Sequence, residues 1–211
     1  MTDTELMAGF CSLGVNCEFG VAQRKYGAEP IDLFRWTSTG MPALLALLAA
    51  RFESIGDDLE VLPCAPGGEY MMQNNRYRFR WHAWLKYGEM EPDAILAREK
   101  TRLPFLGRKL IEELTEGRRI FVRTPAPWEL HDKGLPELLR LLREYGPVTL
   151  LYVCLADADH PAGLVVTESG GLLRGYLDHF ADPAEVAGTT PSADWLALCR
   201  DARALTLTGV E

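Results

Sequence analysis

The stretch "GFCSLGVNCEFGVAQRKYG", residues 9–27, decides the fold. Its apolar run stops at Gly14, and shortly after it Cys17 opens a segment with helical spacing that closes at Gly27. A short buried strand that turns directly into a helix is the opening unit of an α/β sheet. The rest of the chain repeats the theme. "RRIFVRT" and "PVTLLYVCLA" are continuous apolar strands, and "GLPELLRLLREYG" between them is a helix. Strands without polar alternation, separated by helices of this length, are those of a mainly parallel sheet covered on both faces. The fold class expected is therefore α/β: a three-layer sandwich with a mainly parallel central sheet, helices on both faces and an inserted β-hairpin.

Further segments fill in this frame. "TGMPALLALLAARF" is a nearly all-apolar helix, with Thr39 as its cap and Pro42 in its first turn. Residues 56–68 read as a loop. "YMMQNNRYRFRWHAW" reads as a hairpin turning at Asn74-Asn75. Its second arm puts Tyr77, Phe79 and Trp81 on one face and Arg76, Arg78, Arg80 and His82 on the other. A helix spans Asp93 to Glu116, interrupted around Pro104, with Leu103, Leu106, Leu110 and Leu114 as its core stripe. A hairpin around Gly170-Gly171, a last helix capped by Ser192 and an edge strand at "LTLTGV" complete the chain. The whole reads as one domain, residues 1–211, with 56–90 as an insertion over one end of the sheet.

Composition narrows the function classes. The formal net charge is −8, with 22 basic against 30 acidic residues, which opposes long-range attraction to nucleic acid or an anionic membrane. Cys11, Cys17, Cys64, Cys154 and Cys199 are odd in number and widely spaced, which argues against a disulfide framework or a structural metal site and suits a reducing cytoplasm. No segment approaches the roughly 20 apolar residues of a membrane span, and the acidic start lacks the features of a signal peptide. No dinucleotide, phosphate-loop, hydrolase-elbow or zinc-protease motif occurs, so no cofactor and no metal is expected.

Chemistry gathers at the first strand-to-helix turn. Ser12 and Gly14 leave the strand, Asn16 is placed to cap, and Cys17 takes the first helical position. Helix-end amides lower a thiol's pKa and can hold an oxyanion, so Cys17 is the candidate nucleophile; the alternative is a buried small side chain. His82, on the arginine face, is the candidate base, or else an exposed strand histidine. Asp32 in "EPIDLFRW" either orients His82 or pairs with Arg35 or Arg123 in a buried ion pair. Arg123 ends its strand at the sheet edge where ligands bind, and Arg78 and Arg80 offer further anion contacts; Arg123 could equally pair with Asp32 or Glu18. His131, His160 and His179 lie in weaker contexts.

"SLGVNC" followed by "QRKYGAEPIDLFRW" resembles the start of a bacterial family of unknown function to which a papain-like cysteine peptidase activity is ascribed. That family opens with S-L-G-x-x-C and continues with a P-F-D-W segment, met here as Pro30, Ile31, Asp32 and a displaced Trp36. The resemblance covers roughly the first 125 residues and implies Cys17 and His82 as the catalytic pair. The chain departs from the pattern at Ala83, where the family has an aspartate, and lacks the glutamine of a papain-type oxyanion hole. Two function classes follow. One is a cysteine-dependent hydrolase or acyl transferase acting on an unknown peptide or small molecule. The other is a non-catalytic module that binds an anionic ligand or serves glycan and cell-surface modification.

Overall fold

The structure, a computed structural model, describes the chain except residues 65–67, 127–132, 182–191, 193 and 209–211. In chain order its elements are α1 (Asp3–Ala8), β1 (Phe10–Ser12), α2 (Glu18–Lys25), β2 (Thr37–Ser38), α3 (Met41–Ala49), β3 (Leu59–Cys64), β4 (Glu69–Asn74) and β5 (Phe79–Lys86). Then follow α4 (Pro92–Glu116), β6 (Ile120–Arg123), α5 (Leu135–Arg143), β7 (Thr149–Leu155), β8 (Val165–Thr167), β9 (Leu172–Leu177) and α6 (Asp194–Thr208).

These elements make a mixed α/β protein with two sheets. The mostly parallel sheet runs β1-β6-β7-β9-β8, with only β8 antiparallel to its neighbour. The expected hairpin around Gly170-Gly171 is β8 and β9, and both glycines take the positive φ such a turn needs. The second sheet is antiparallel, in the order β2-β5-β4-β3.

Strand alternation divides the core. Phe10, Ile120, Val122, Leu151 and Val153 pack with residues of α1, α2 and α6. Cys11, Phe121, Leu150 and Tyr152 pack with α3, α4, α5 and the inner face of the antiparallel sheet, including Met72, Phe79 and Trp81. Successive strand residues point to opposite faces, so continuous apolar runs feed two cores at once.

Five local expectations are corrected. Residues 59–64, read as loop, form β3; it is the sheet edge, where Pro63 removes no needed ladder bond. The hairpin does not turn at Asn74-Asn75, because Asn74 pairs with Phe79 and residues 75–78 form the loop. The buried Asn74 side chain decides this: it donates to the carbonyls of Ile55 and Asp57 and accepts from the Tyr77 amide at 2.7 Å. Helix α4 runs unbroken through Pro104, since its leucine stripe is buried on both sides of the proline and packing outweighs the lost bond. "LTLT" continues α6 instead of forming a strand, and Leu205 extends the stripe of Trp195, Leu198, Cys199 and Ala202; residues 209–211 of the expected strand lie outside the described residues. The Ser192 hydroxyl, expected as the cap of this last helix, accepts from the Asp194 amide at its start. Thr39 does not cap α3; Gly40 holds that position, and the Thr39 hydroxyl donates to Thr37.

Buried polar groups tie the layers together. Trp81 of β5 donates its indole N–H to Glu99 of α4, a fully buried carboxylate also met by Arg98 and Arg102. Trp195 of α6 donates to Glu18 of α2 at 3.0 Å, and burial pushes the Glu18 carboxyl above its usual range. Asp32, 6 % exposed, is gripped through both oxygens by the Arg119 guanidinium at 2.8 and 2.7 Å. Lys109 adds a contact at 3.2 Å, and Glu113 balances the two cations.

This placement overturns the expectation that Asp32 orients His82. Its partners are Arg119 and Lys109, not Arg35 or Arg123, because the loop carrying it packs at the start of β6 against α4. Arg119→Met leaves a buried carboxylate short of its main partner and is expected to cost about 3–5 kcal/mol. Urea denaturation checks this, and the double variant Asp32→Asn/Arg119→Met should lose less than the sum of the single losses.

Candidate functional site

The turn after β1 is built as a rigid bracket. The Ser12 hydroxyl accepts from the Gly14 amide at 3.2 Å, and Gly14 sits at φ 83° against Thr39, where a Cβ would come within 2.9 Å of the threonine. Val15 follows at φ 98°, a conformation that a β-branched residue adopts only under constraint. The constraint comes from behind. Arg123, fully buried, donates to the carbonyls of Leu13 and Thr39 at 3.0 and 2.8 Å and pins both sides of the turn. Arg123 is thus a positioning group and not the ligand contact expected; a guanidinium spent on two carbonyls inside the core cannot face solvent.

Cys17 ends this bracket as the N-cap of α2, one position earlier than expected. Asn16, expected at the cap, instead precedes it, its side-chain oxygen accepting from the Glu18 amide at 3.0 Å in an Asx turn that leads into the helix. The thiol is half-buried, and its acidity runs against the expectation of a thiolate. Burial, helped by the charge of Glu69, pushes it up to about 12. Desolvation and a nearby carboxylate outweigh the helix end. At neutral pH Cys17 is a protonated thiol.

Glu69 joins the second candidate to the first. It stands at the start of β4, where the pairing with β5 slips by two residues and Trp84 takes a φ of 56°. Such a bulge re-aims side chains. One Glu69 oxygen therefore meets both the Trp84 amide, at 3.0 Å, and His82 Nδ1, at 3.2 Å. His82 lies on the outer face of β5, opposite Phe79 and Trp81, as its alternation predicts. Its ring stacks on Trp84 with centroids 5.1 Å apart, and Nε2 has no hydrogen-bond partner among the described residues. The carboxylate replaces the guanidinium surroundings expected for this histidine.

An aromatic ladder closes the loop back to α2. Trp84 meets Trp36 edge-on at 5.4 Å, and the Arg24 guanidinium of α2 lies 4.5 Å from the Trp36 ring centroid. Gly20 permits this approach, since a Cβ there would come 3.1 Å from Trp36 and 2.7 Å from the Arg35 carbonyl. Cys17, Glu69, His82, Trp84 and Trp36 thus form one neighbourhood where the first helix meets the antiparallel sheet. No hydrogen bond joins the Cys17 thiol to His82 among the described residues.

The other candidates lie elsewhere. Arg78 and Arg80 line a polar cleft beside Ser38 on the antiparallel sheet. His160 pairs with Asp157 and stacks on Tyr176, and His179 pairs with the adjacent Asp178, both of which act electrostatically on the Glu18 carboxyl that follows Cys17. His131 lies outside the described residues. Cys11, Asp32 and Glu113 place ligand atoms within 4.8 Å of one another, a spacing a metal could use. Arg119 and Lys109 already neutralise both carboxylates, and burial and Asp32 hold the Cys11 thiol well above its usual value. That chemistry is an ion-pair cluster, not a metal centre. Among the described residues no helix is long and apolar enough to cross a membrane.

Glu69 was missed by sequence reading because "PGGEY" carries only turn signals. Its role depends on a register slip between two strands, which no residue pattern encodes. Comparison with known family models, with curated proteins and with solved structures finds no match to this chain.

The thiol's raised pKa gives a signed expectation. Its contribution to stability is complete below the free-thiol range of about 8.5 and falls away as pH rises toward about 12. Iodoacetamide labelling of Cys17 should therefore be slow at neutral pH and accelerate above pH 9. Glu69→Gln, by removing the nearby charge, should speed labelling at pH 8–9 by roughly threefold to tenfold; mass spectrometry of the labelled peptide reads the rate.

Proposed function

We propose that the protein is a cysteine-dependent hydrolase or acyl transferase in which Cys17 attacks an amide or ester carbonyl and His82 is the base. Glu69, not Asp32, orients the histidine. The observation that carries this reading is the shared carboxylate: Glu69 contacts His82 Nδ1 and acts electrostatically on the Cys17 thiol.

The resting thiol is neutral, so the reading requires proton transfer concerted with attack and not a preformed ion pair. His82 Nε2 takes the thiol proton as Sγ bonds to the carbonyl carbon. The imidazolium, stabilised by Glu69, then protonates the leaving amine or alcohol as the tetrahedral intermediate collapses to a thioester. Nε2 next takes a proton from water, whose oxygen attacks the thioester and releases the acid and the thiol. Thiol and ring are not hydrogen-bonded in the free protein, so the substrate completes the alignment, as catalytic contacts commonly tighten only in the complex. The strained Val15 and Trp84 backbones are consistent with a site held away from its relaxed geometry.

In this reading the parallel sheet is the middle of a three-layer sandwich, and the 56–90 segment is an insertion that brings the histidine to the first turn. The chemistry is that of the papain-like peptidases the sequence resembles, on a different scaffold, acting in the cytoplasm on a peptide or small molecule. Neither nucleic acid nor membrane is a partner.

An activated ester such as 4-nitrophenyl acetate tests the proposal. Intact-protein mass spectrometry should show a single acetyl group on Cys17, with release of nitrophenolate. Cys17→Ala should abolish the adduct, His82→Ala should slow it by about 10²–10⁴-fold, and Glu69→Gln by a smaller factor. Unchanged acylation in Cys17→Ala overturns the assignment.

A further inference from the structure

The antiparallel sheet carries a second feature that the chemistry at Cys17 does not use. Ser38, Gly40, Gln73, Asn75, Arg78 and Arg80 bound a cleft of about 570 Å³, a size ordinary for small-ligand sites. Its lining contains two guanidinium groups and three neutral polar side chains, and no carboxylate.

Acidic residues outnumber basic ones, 30 to 22, and several arginines find one: Arg24 meets Glu29, Arg98 and Arg102 meet Glu99, Arg119 meets Asp32, and Arg140 meets Glu137. Arg78 and Arg80 have no carboxylate partner among the described residues. Arg80 is held instead by a neutral acceptor, the Gln73 side-chain oxygen, at 2.6 Å from Nε. Asn75 accepts from the Gln73 amide, and Glu60 reaches the cleft only by accepting from Asn75 at 3.2 Å, outside the lining. The side-chain amides thus hold the rim in place while leaving both guanidinium charges uncompensated.

The rim is also fixed from beneath. Arg78 occupies the left-handed region, φ 60°, at the end of the loop that the buried Asn74 fastens, and its amide donates to the Asn74 carbonyl at 2.8 Å. Ser38 pairs with Arg80 across β2 and β5, which places it beside that arginine on the outer face of the sheet. Two cations confined to one rim repel each other unless an anion sits between them, and planar guanidinium groups match phosphoryl oxygens in a bidentate fashion.

We propose that this cleft binds the phosphoryl group of a small molecule, with Arg78 and Arg80 as charge partners and Ser38 and Asn75 as neutral contacts. The proposal does not rest on catalysis at Cys17. Arg80 and His82 are alternate residues on the same face of β5, so a bound phosphorylated molecule extends toward the histidine.

The test is thermal unfolding and calorimetric titration of the full chain at about 0.15 M ionic strength, held constant with sodium chloride. Inorganic phosphate and a phosphorylated monosaccharide are the probes; tighter binding of the sugar phosphate identifies a phosphorylated small molecule, and equal binding identifies free phosphate, both within the proposal. Arg80→Gln should weaken binding at least tenfold. Arg78→Gly should do the same without lowering the melting temperature, because glycine accepts the left-handed backbone. Cys17→Ser should bind as the wild type does, which separates this site from the fate of the hydrolase reading. Failure of both probes to bind above the chloride control, or undiminished binding in Arg78→Gly, overturns the proposal.

Discussion

Everything in this molecule is arranged around a buried charge that must be matched. Asp32 lies inside the protein between the end of α4 and the start of β6, and a lone carboxylate there would be too costly to keep ionised. The two-pronged grip of Arg119, with Lys109 and Glu113 completing a neutral quartet, makes the position tolerable and at the same time specific. Because Arg119 also donates to the Phe10 carbonyl, the cluster sets where β1 begins relative to β6. The segment after Asp32 then runs on through Arg35, Trp36 and β2, and so delivers one wall of the site.

A second buried guanidinium finishes the work at the opposite end of β1. Arg123 holds Leu13 and Thr39 together, and the chain between Leu13 and Cys17 has no freedom left but the positive φ values of Gly14 and Val15. The thiol is therefore presented by a turn that cannot relax, next to a carboxylate that resists its ionisation. This is the opposite of an activated thiolate, and it places the burden of any chemistry on a base supplied when substrate binds. The Glu69–His82–Trp84 arrangement has the same character: a bulge in the strand turns one carboxylate toward an amide and an imidazole together.

How far the chain can be read without coordinates depends on the range of the forces involved. The runs in β6 and β7 were legible as parallel strands because burial on both faces leaves no room for polar residues. The stripe in α4 was legible for the same reason, yet its apparent break at Pro104 was not real, since packing along 25 residues outweighs one missing hydrogen bond. His82 was placed on the correct face by alternation alone. Asp32 was recognised as a residue needing a partner, while the partner's identity, Arg119 lying 87 residues away, was not. Glu69 was invisible, because its significance arises from a two-residue slip between neighbouring strands.

The amino-acid sequence by itself determined the class of sheet, the helices that cover it, the turn ending in Cys17 and the outward face of β5, all consequences of local periodicity and of the cost of exposing apolar surface. Tertiary structure alone decided which charges meet. It turned Asp32 and Arg123 into internal fasteners, drew Glu69 to His82 and left Arg78 and Arg80 around a cleft without acidic partners among the described residues. The reason is physical: hydrophobic pattern is written along the chain, whereas an ion pair depends on the distance between two side chains, and that distance exists only once the chain has folded.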